Sequence, residues 1–420
     1  MAENVIFYGP PGTSKTFLLQ AKMSDYTDYT VTDDQIREAY VQLTEPWVVV
    51  AMVLLQHQGR MSTSDIQAVI ERVGYGSYVN AGAVTDRHST EPSPLGLERK
   101  QPRVFFPCED GTWYVNRLRV QQHVPDFFER FFTNDDAIRR YRFVTFHQSF
   151  SYEDFIEGIR PEYVKESNSI DYSPKPGVFK ELCQEAAAHG EKPYAIFIDE
   201  INRGNISEIL GELISLIEVD KRQGMANELS ATLPYSKETF VVPSNVNIYG
   251  TMNSADRSVG AIDIALRRRF EFVPMYPSSE VIAQELELNG VDPHNVDGID
   301  LIRMFDTMNG RIELLLDRNH LLGHAMFMSV RSGQDIVDVV RDRVVPLLEE
   351  YFFKELDKVQ LVFNDLDEEG ELRDNPVYRH STLLADNYFE YVGDYLIDDA
   401  RHYAVNKNLN LDSIRHIYGG

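Results

Sequence analysis

The sequence predicts an α/β fold, a parallel sheet flanked by helices, and three observations predict it. Val5-Ile6-Phe7-Tyr8 is a short apolar strand that passes through a Gly/Pro turn into a helix carrying Phe17, Leu18, Leu19 and Lys22. Tyr194-Ala195-Ile196-Phe197-Ile198 is a continuous apolar strand stopping at Asp199-Glu200. Val246 to Asn253 is another strand that ends in a polar residue.

Composition sets the frame. At 420 residues, 43% hydrophobic and 25% charged, the chain has room for two or three soluble domains and is neither disordered nor fibrous. Its 41 Lys+Arg against 66 Asp+Glu give a net charge of −25, so a surface that coats DNA as a whole is excluded. The longest apolar run, Trp47 to Leu55, is too short to span a bilayer, and no membrane partner is expected. The N-terminus has no basic stretch ahead of its first strand and reads as no signal peptide. Cys108 and Cys183 stand alone, which points to a reducing, cytoplasmic setting and, for Cys183, to core packing.

The first turn carries the chemistry. Gly9-Pro10-Pro11-Gly12-Thr13-Ser14-Lys15-Thr16 between strand and helix is a phosphate-binding loop: backbone N–H groups face the phosphates, Lys15 reaches their oxygens and Thr16 supplies a hydroxyl to Mg²⁺. Ser14 stands where glycine is usual before the lysine, which implies either a strained backbone or a slightly different loop. In such a protein Asp199 holds the Mg²⁺ through water and Glu200 activates the water that attacks the γ-phosphate. Ile201 to Ser207 then leads into an amphipathic helix with Ile209, Leu210, Leu213, Ile214 and Ile217. Asn253 sits where a γ-phosphate sensor would. A helix through Ile262, Ile264, Ala265 and Leu266 ends in Arg267-Arg268-Arg269, which suits a finger reaching a neighbour's nucleotide; the other reading is charge complementing a helix dipole.

The remaining regions are an insertion and a helical end. Residues 31–140 carry 12 Lys+Arg and 15 Asp+Glu, close to neutral within an acidic chain. A helix over Glu45–Gln58, a second capped by Ser62-Thr63-Ser64, a Gly/Ser/Pro-rich stretch over 74–97, and a hairpin turning at Asp110-Gly111 make a winged-helix-like domain. It can face DNA through Arg87, Arg99, Lys100, Arg103, Arg117 and Arg119, dock a protein, or be purely structural. The domain reading is thus residues 1–30 and 141–275 as core, 31–140 as insertion, and 276–420 as helical lid and extension, with Arg318, His320 and His324 near where a lid meets nucleotide.

Together these runs resemble the McrB family of AAA+ GTPases from McrBC modification-dependent restriction systems. The resemblance rests on Gly9 to Phe17, Phe146 to Phe155, Ile198 to Arg203, Met252 to Ser258, Ala265 to Phe270, Gly323-His324 and Val345 to Phe352. It implies an AAA+ core, a self-assembled ring expected to be hexameric, GTP rather than ATP as substrate, Mg²⁺ at Thr16 and Asp199, catalysis by Glu200 and Asn253, and Arg268 and Arg269 acting in trans. It further implies a separate McrC-like nuclease and local DNA contact, at the insertion or the ring pore, in defence against foreign or modified DNA. No residue decides between GTP and ATP, and no nuclease signature is present. In the family the DNA-reading domain precedes the loop; here eight residues do, so recognition is expected elsewhere in the chain or in another protein. A MoxR-like ATPase remodelling protein clients and an NTP-gated binding scaffold are the alternatives.

Overall fold

The computed structural model describes residues 2–28, 31–57, 60–91, 96–124, 138–164, 169–255, 264–390 and 397–419. They group into two compact units, residues 1–8 with 15–274, and residues 9–14 with 275–420.

The first unit is built on a five-stranded sheet. Its elements are β1 (Asn4–Gly9), α1 (Lys15–Met23), β2 (Tyr141–Thr145), α2 (Val178–Ala188), β3 (Tyr194–Asp199), β4 (Val246–Asn253) and β5 (Glu271–Pro274). The strand order is β5-β1-β4-β3-β2, and β1 pairs parallel with β5 while β3 pairs parallel with both β4 and β2. Ile196, Ile198 and Ile248 turn to one face and pack with Phe179, Leu182 and Leu213. Phe197 turns to the other, stacked on Tyr249 and edge-on to Tyr26 and Tyr141. Burial on both faces explains why these strands read as unbroken apolar runs. Because β4 lies between β1 and β3, the carboxyl ends of β3 and β4 emerge side by side, the edge at which open α/β sheets bind ligands.

The expected amphipathic helix after Ile201 is two pieces, Ile206–Leu210 and Leu213–Leu216. Gly211 breaks it at φ +50, and a Cβ there would lie 3.0 Å from the Tyr152 ring. A buried ion cluster braces the same region: Lys180 Nζ lies 2.7 Å from both Glu157 and Glu238.

The insertion has its own apolar core, running from Val31 to Val120. Helix Pro46–Gln56 buries nine successive residues, Trp47 to Leu55, within that core. Ser62 caps helix Thr63–Val73 by accepting the N–H of Asp65. Strands Phe105–Pro107 and Thr112–Val115 form the expected hairpin with Gly111 at φ +79, and Arg60–Ser62 adds a third strand on the other side of Thr112–Val115. Three helices among the described residues of the insertion escaped the sequence reading: Asp33–Leu43, which opens on a capping box from Thr32 and Gln35, Ala81–Arg87, capped by Asn80, and Arg117–His123, capped by Asn116.

In the second unit, helices Ser279–Leu288, Leu301–Leu315, Gly333–Val339, Val345–Tyr351 and Asp357–Phe363 enclose a core that includes Met304, Phe305, Phe327 and Leu348. The region is less helical than expected, because Tyr378–Leu383 and Ala400–Val405 pair as antiparallel strands. Buried Asp365 ties this hairpin in, accepting the N–H groups of Val377 and Tyr378 at 2.7 and 2.8 Å and pairing with His416 at 3.1 Å. Burial raises the Asp365 carboxyl above its ordinary range despite those bonds.

Candidate nucleotide site

The carboxyl ends of β3 and β4 gather Asp199, Glu200, Thr251 and Asn253. Thr251 lies one step beyond the Ile198–Gly250 pair, opposite Asp199. Its hydroxyl donates to Asp199 Oδ1 and accepts the main-chain N–H of Glu200 at 3.2 Å. Thr16, at the start of α1, donates to the same Asp199 oxygen at 3.4 Å. Lys15 beside it is buried, and its ammonium is brought down to about 8 by burial, with Glu200 and Asp199 pulling in the other direction.

Glu200 has φ +52, a left-handed conformation that costs a non-glycine residue on the order of 1–3 kcal/mol and concentrates at functional sites. Its carboxylate is held by two donors: Asn253 Nδ2 on Oε1 and, at 3.2 Å, Arg203 Nε on Oε2. Asn202 reaches the Asn253 carbonyl at 3.5 Å.

Among the described residues no group of three or more His, Cys, Asp or Glu could cage a metal. Thr16 and Asp199 nevertheless present two hard oxygens at one point, which fits a Mg²⁺ whose remaining ligands are phosphate and water.

Residues 9–14, the remainder of the expected phosphate loop, group with the second unit. Gly12 has φ +73 and Ser14 φ +60, and Thr13 Oγ1 donates to the Pro10 carbonyl at 3.0 Å. The strained alternative raised by Ser14 is therefore the one adopted. The loop packs backbone to backbone on the C-terminal region: Ala325 N–H donates to the Gly12 carbonyl at 3.0 Å, and a Cβ on Gly323 would sit 2.2 Å from that carbonyl. His324 Nε2 lies 3.1 Å from Ser14 Oγ.

The other expected residues are dispersed. His320 is buried on Asp317 and edge-on to Tyr351, and Arg318 pairs with Glu313. Of the three arginines, Arg267 stacks on Phe272 at 5.4 Å and Arg268 is exposed. Arg269 is buried and pairs with Glu218 at 2.9 Å within the same chain. Asp256, Arg257, Ser258 and Ile262 lie outside the described residues. Thr251 and Arg203 escaped the sequence reading; the signal for Thr251 was its register opposite Asp199, available only once β3 and β4 are paired.

Residues 130–270, which carry β2, β3 and β4, match the family described as AAA domain (dynein-related subfamily). Residues 300–360 match the McrB α-helical lid domain. The chain is 38% identical over 248 residues, 56% of its length and 52% of the relative's, to the Type IV methyl-directed restriction enzyme EcoKMcrB subunit of Escherichia coli (strain K12). It is 27% identical over 188 residues, 42% of its length and 51% of the relative's, to the Type II restriction enzyme BsuMI component YdiS of Bacillus subtilis (strain 168). Over these stretches the chain is similar to McrB-family AAA+ proteins. The chain spans about half the length of these curated relatives. Among the described residues no helix is long and apolar enough to cross a membrane.

Proposed function

We propose that this chain is a Mg²⁺-dependent nucleoside-triphosphatase motor that works with a separate McrC-like endonuclease to restrict foreign or modified DNA. The observation that carries the reading is the convergence of Thr16, Asp199, Glu200, Thr251 and Asn253 at one edge of the sheet, with buried Lys15 beside Thr16. The substrate is a nucleoside triphosphate, GTP by kinship with the McrB family. In this reading residues 9–14 and Lys15 bind its phosphates, and Thr16 and Asp199 hold Mg²⁺, which neutralises charge on the phosphate oxygens. Glu200 takes the proton of the attacking water, and Asn253 orients that water.

Glu200 Oε1 accepts from Asn253 and Oε2 from Arg203, and each oxygen keeps a lone pair with which to meet the water. Arg268, exposed at the end of its helix, is the better candidate to reach a neighbouring subunit's nucleotide in a ring, expected to be a hexamer. Arg269 is already paired within its own chain and supports that helix instead.

The insertion resembles a winged helix in its order of helices and three-stranded sheet. Of the six basic residues expected to meet phosphates, Arg87, Arg99 and Lys100 are exposed, and the Lys100 N–H bonds the Arg87 carbonyl at 2.7 Å, which supports a local phosphate contact there. A cytoplasmic setting belongs to the same reading. The test is turnover of GTP and ATP, each with and without methylated DNA and the partner nuclease. Hydrolysis stimulated by DNA or by the nuclease is expected. Hydrolysis indifferent to both would favour a protein-remodelling ATPase, and no hydrolysis would favour a nucleotide-gated scaffold.

A further inference from the structure

Ser14 holds a backbone conformation, φ +60, that a glycine adopts freely and a serine does not. The residue lies inside the phosphate loop, where the orientation of successive N–H groups decides whether they converge on an anion. The loop therefore needs something that glycine-bearing loops do not, a partner that selects the left-handed conformation at this position.

That partner is in place. The N–H of Ser278 donates to His324 Nδ1 at 3.3 Å, so Nδ1 is an acceptor and the ring proton of the neutral imidazole resides on Nε2. Nε2 faces Ser14 Oγ at 3.1 Å and donates to it. The imidazole cannot drift, because its two neighbours clamp the loop: Gly323 approaches Gly12 too closely to carry a side chain, and Ala325 N–H bonds the Gly12 carbonyl. Two consecutive stretches, Gly12-Thr13-Ser14 and Gly323-His324-Ala325, thus meet at a backbone bond, a close backbone contact and a side-chain bond.

We infer that His324 is a positioning residue for the phosphate loop: its Nε2–H holds Ser14 in the conformation that glycine supplies in other loops of this kind. Ser14 and His324 form a compensating pair, and the histidine matters to nucleotide binding only because position 14 is not glycine. The inference rests on the nucleotide-site reading above. It assigns no chemical step to His324, which touches the loop and not the reacting atoms.

The experiment is titration of the 420-residue chain with fluorescent GTP and ATP analogues in Mg²⁺, beside thermal melts of every variant. H324A should weaken binding about tenfold, the equivalent of ~1.4 kcal/mol. In an S14G background the same H324A change should cost less than about threefold, because the strain it answers is gone. H324Q, whose amide nitrogen can occupy the Nε2 position, should recover most of the affinity. H324N, which can reach only the Ser278 side, should not. Equal losses from H324A in both backgrounds, or none in either, would overturn the inference, as would rescue by H324N but not H324Q. If H324A proves too unstable to titrate, the H324Q and H324N pair still decides. Failure of the unmodified chain to bind either nucleotide would instead refute the site reading itself.

Discussion

The hydroxyl of Thr251 accepts the main-chain N–H of Glu200 at 3.2 Å. The same oxygen donates to Asp199, so one side chain on β4 fixes both acidic residues at the end of β3. Thr251→Val keeps the shape and removes both bonds, leaving a half-buried N–H unpaired at about 1–3 kcal/mol. We expect a kcat lower by roughly tenfold with a smaller change in KM, since both carboxylates lose orientation while the phosphate loop is untouched. Steady-state hydrolysis beside a thermal melt checks it; an unaltered kcat would remove Thr251 from the site.

Glu200→Gln should bind nucleotide and fail to turn it over. General-base catalysis contributes roughly 10²–10⁴-fold, so a loss of at least about a hundredfold in kcat is expected. The glutamine oxygen can still accept from Arg203, and its NH2 can donate to Asn253 once that amide turns its oxygen inward, so the melting temperature should change little. Single-turnover hydrolysis and nucleotide titration separate the two quantities.

The adjacent arginines should behave differently. Arg268→Ala removes an exposed side chain and should leave the melting temperature unchanged while abolishing turnover. Arg269→Ala strips a buried guanidinium from Glu218 and should cost on the order of 1–3 kcal/mol of stability. Mixing Arg268→Ala with Glu200→Gln subunits should restore activity where an intact Glu200 meets an intact Arg268. Absence of that rescue would argue against an arginine acting across subunits.

Acid should dissolve the Glu157–Lys180 contribution. Burial pushes the Glu157 carboxyl up, but the bonds from Lys180 and from the N–H groups of Ser236 and Tyr235 outweigh it and leave the group below its usual 4.5. Burial likewise draws Lys180 down, and the bonds to Glu157 and Glu238 override it, leaving the ammonium above 10.5. An acid depressed in the folded state stabilises fully above its unfolded value and loses that contribution as pH falls through the folded one, here below 4.5. The raised lysine stabilises fully below 10.5 and loses its contribution as pH rises through its folded value. Glu157→Gln should therefore destabilise by about 1–3 kcal/mol near neutrality, since Glu238 still pairs Lys180, and by progressively less below pH 4.5. Melts across that range would show it; a constant difference would mean that the ion pair is not what the variant removes.

What could be read from the sequence was set by range. The phosphate loop, the Asp199-Glu200 strand end and Asn253 announce themselves because chemistry and local structure coincide within a few residues. So does the cap at Ser62, three residues before the N–H it accepts. Thr251 becomes visible only through strand register, and the pairing of Ser14 with His324 spans 310 positions. Helix Ala81–Arg87 was hidden by Gly82, a poor helix former, in a stretch already rich in turn residues. The break at Gly211 looked like helix because its apolar spacing runs on across it, and only the closeness of Tyr152 explains the kink. Arg269 read as one of a set, and burial against Glu218 set it apart.

Residues 9–14 group with residues 275–420, although their sequence neighbours on both sides belong to the sheet. The surface that shapes them includes Gly323, His324 and Ala325, some three hundred residues downstream. A fragment ending at Pro274 would keep the strand before the loop and the helix after it, yet lose what the loop leans on. On the ribosome the order is equally inverted. The loop is translated some three hundred residues before the stretch it leans on, and its backbone must wait for that stretch to emerge before it can settle.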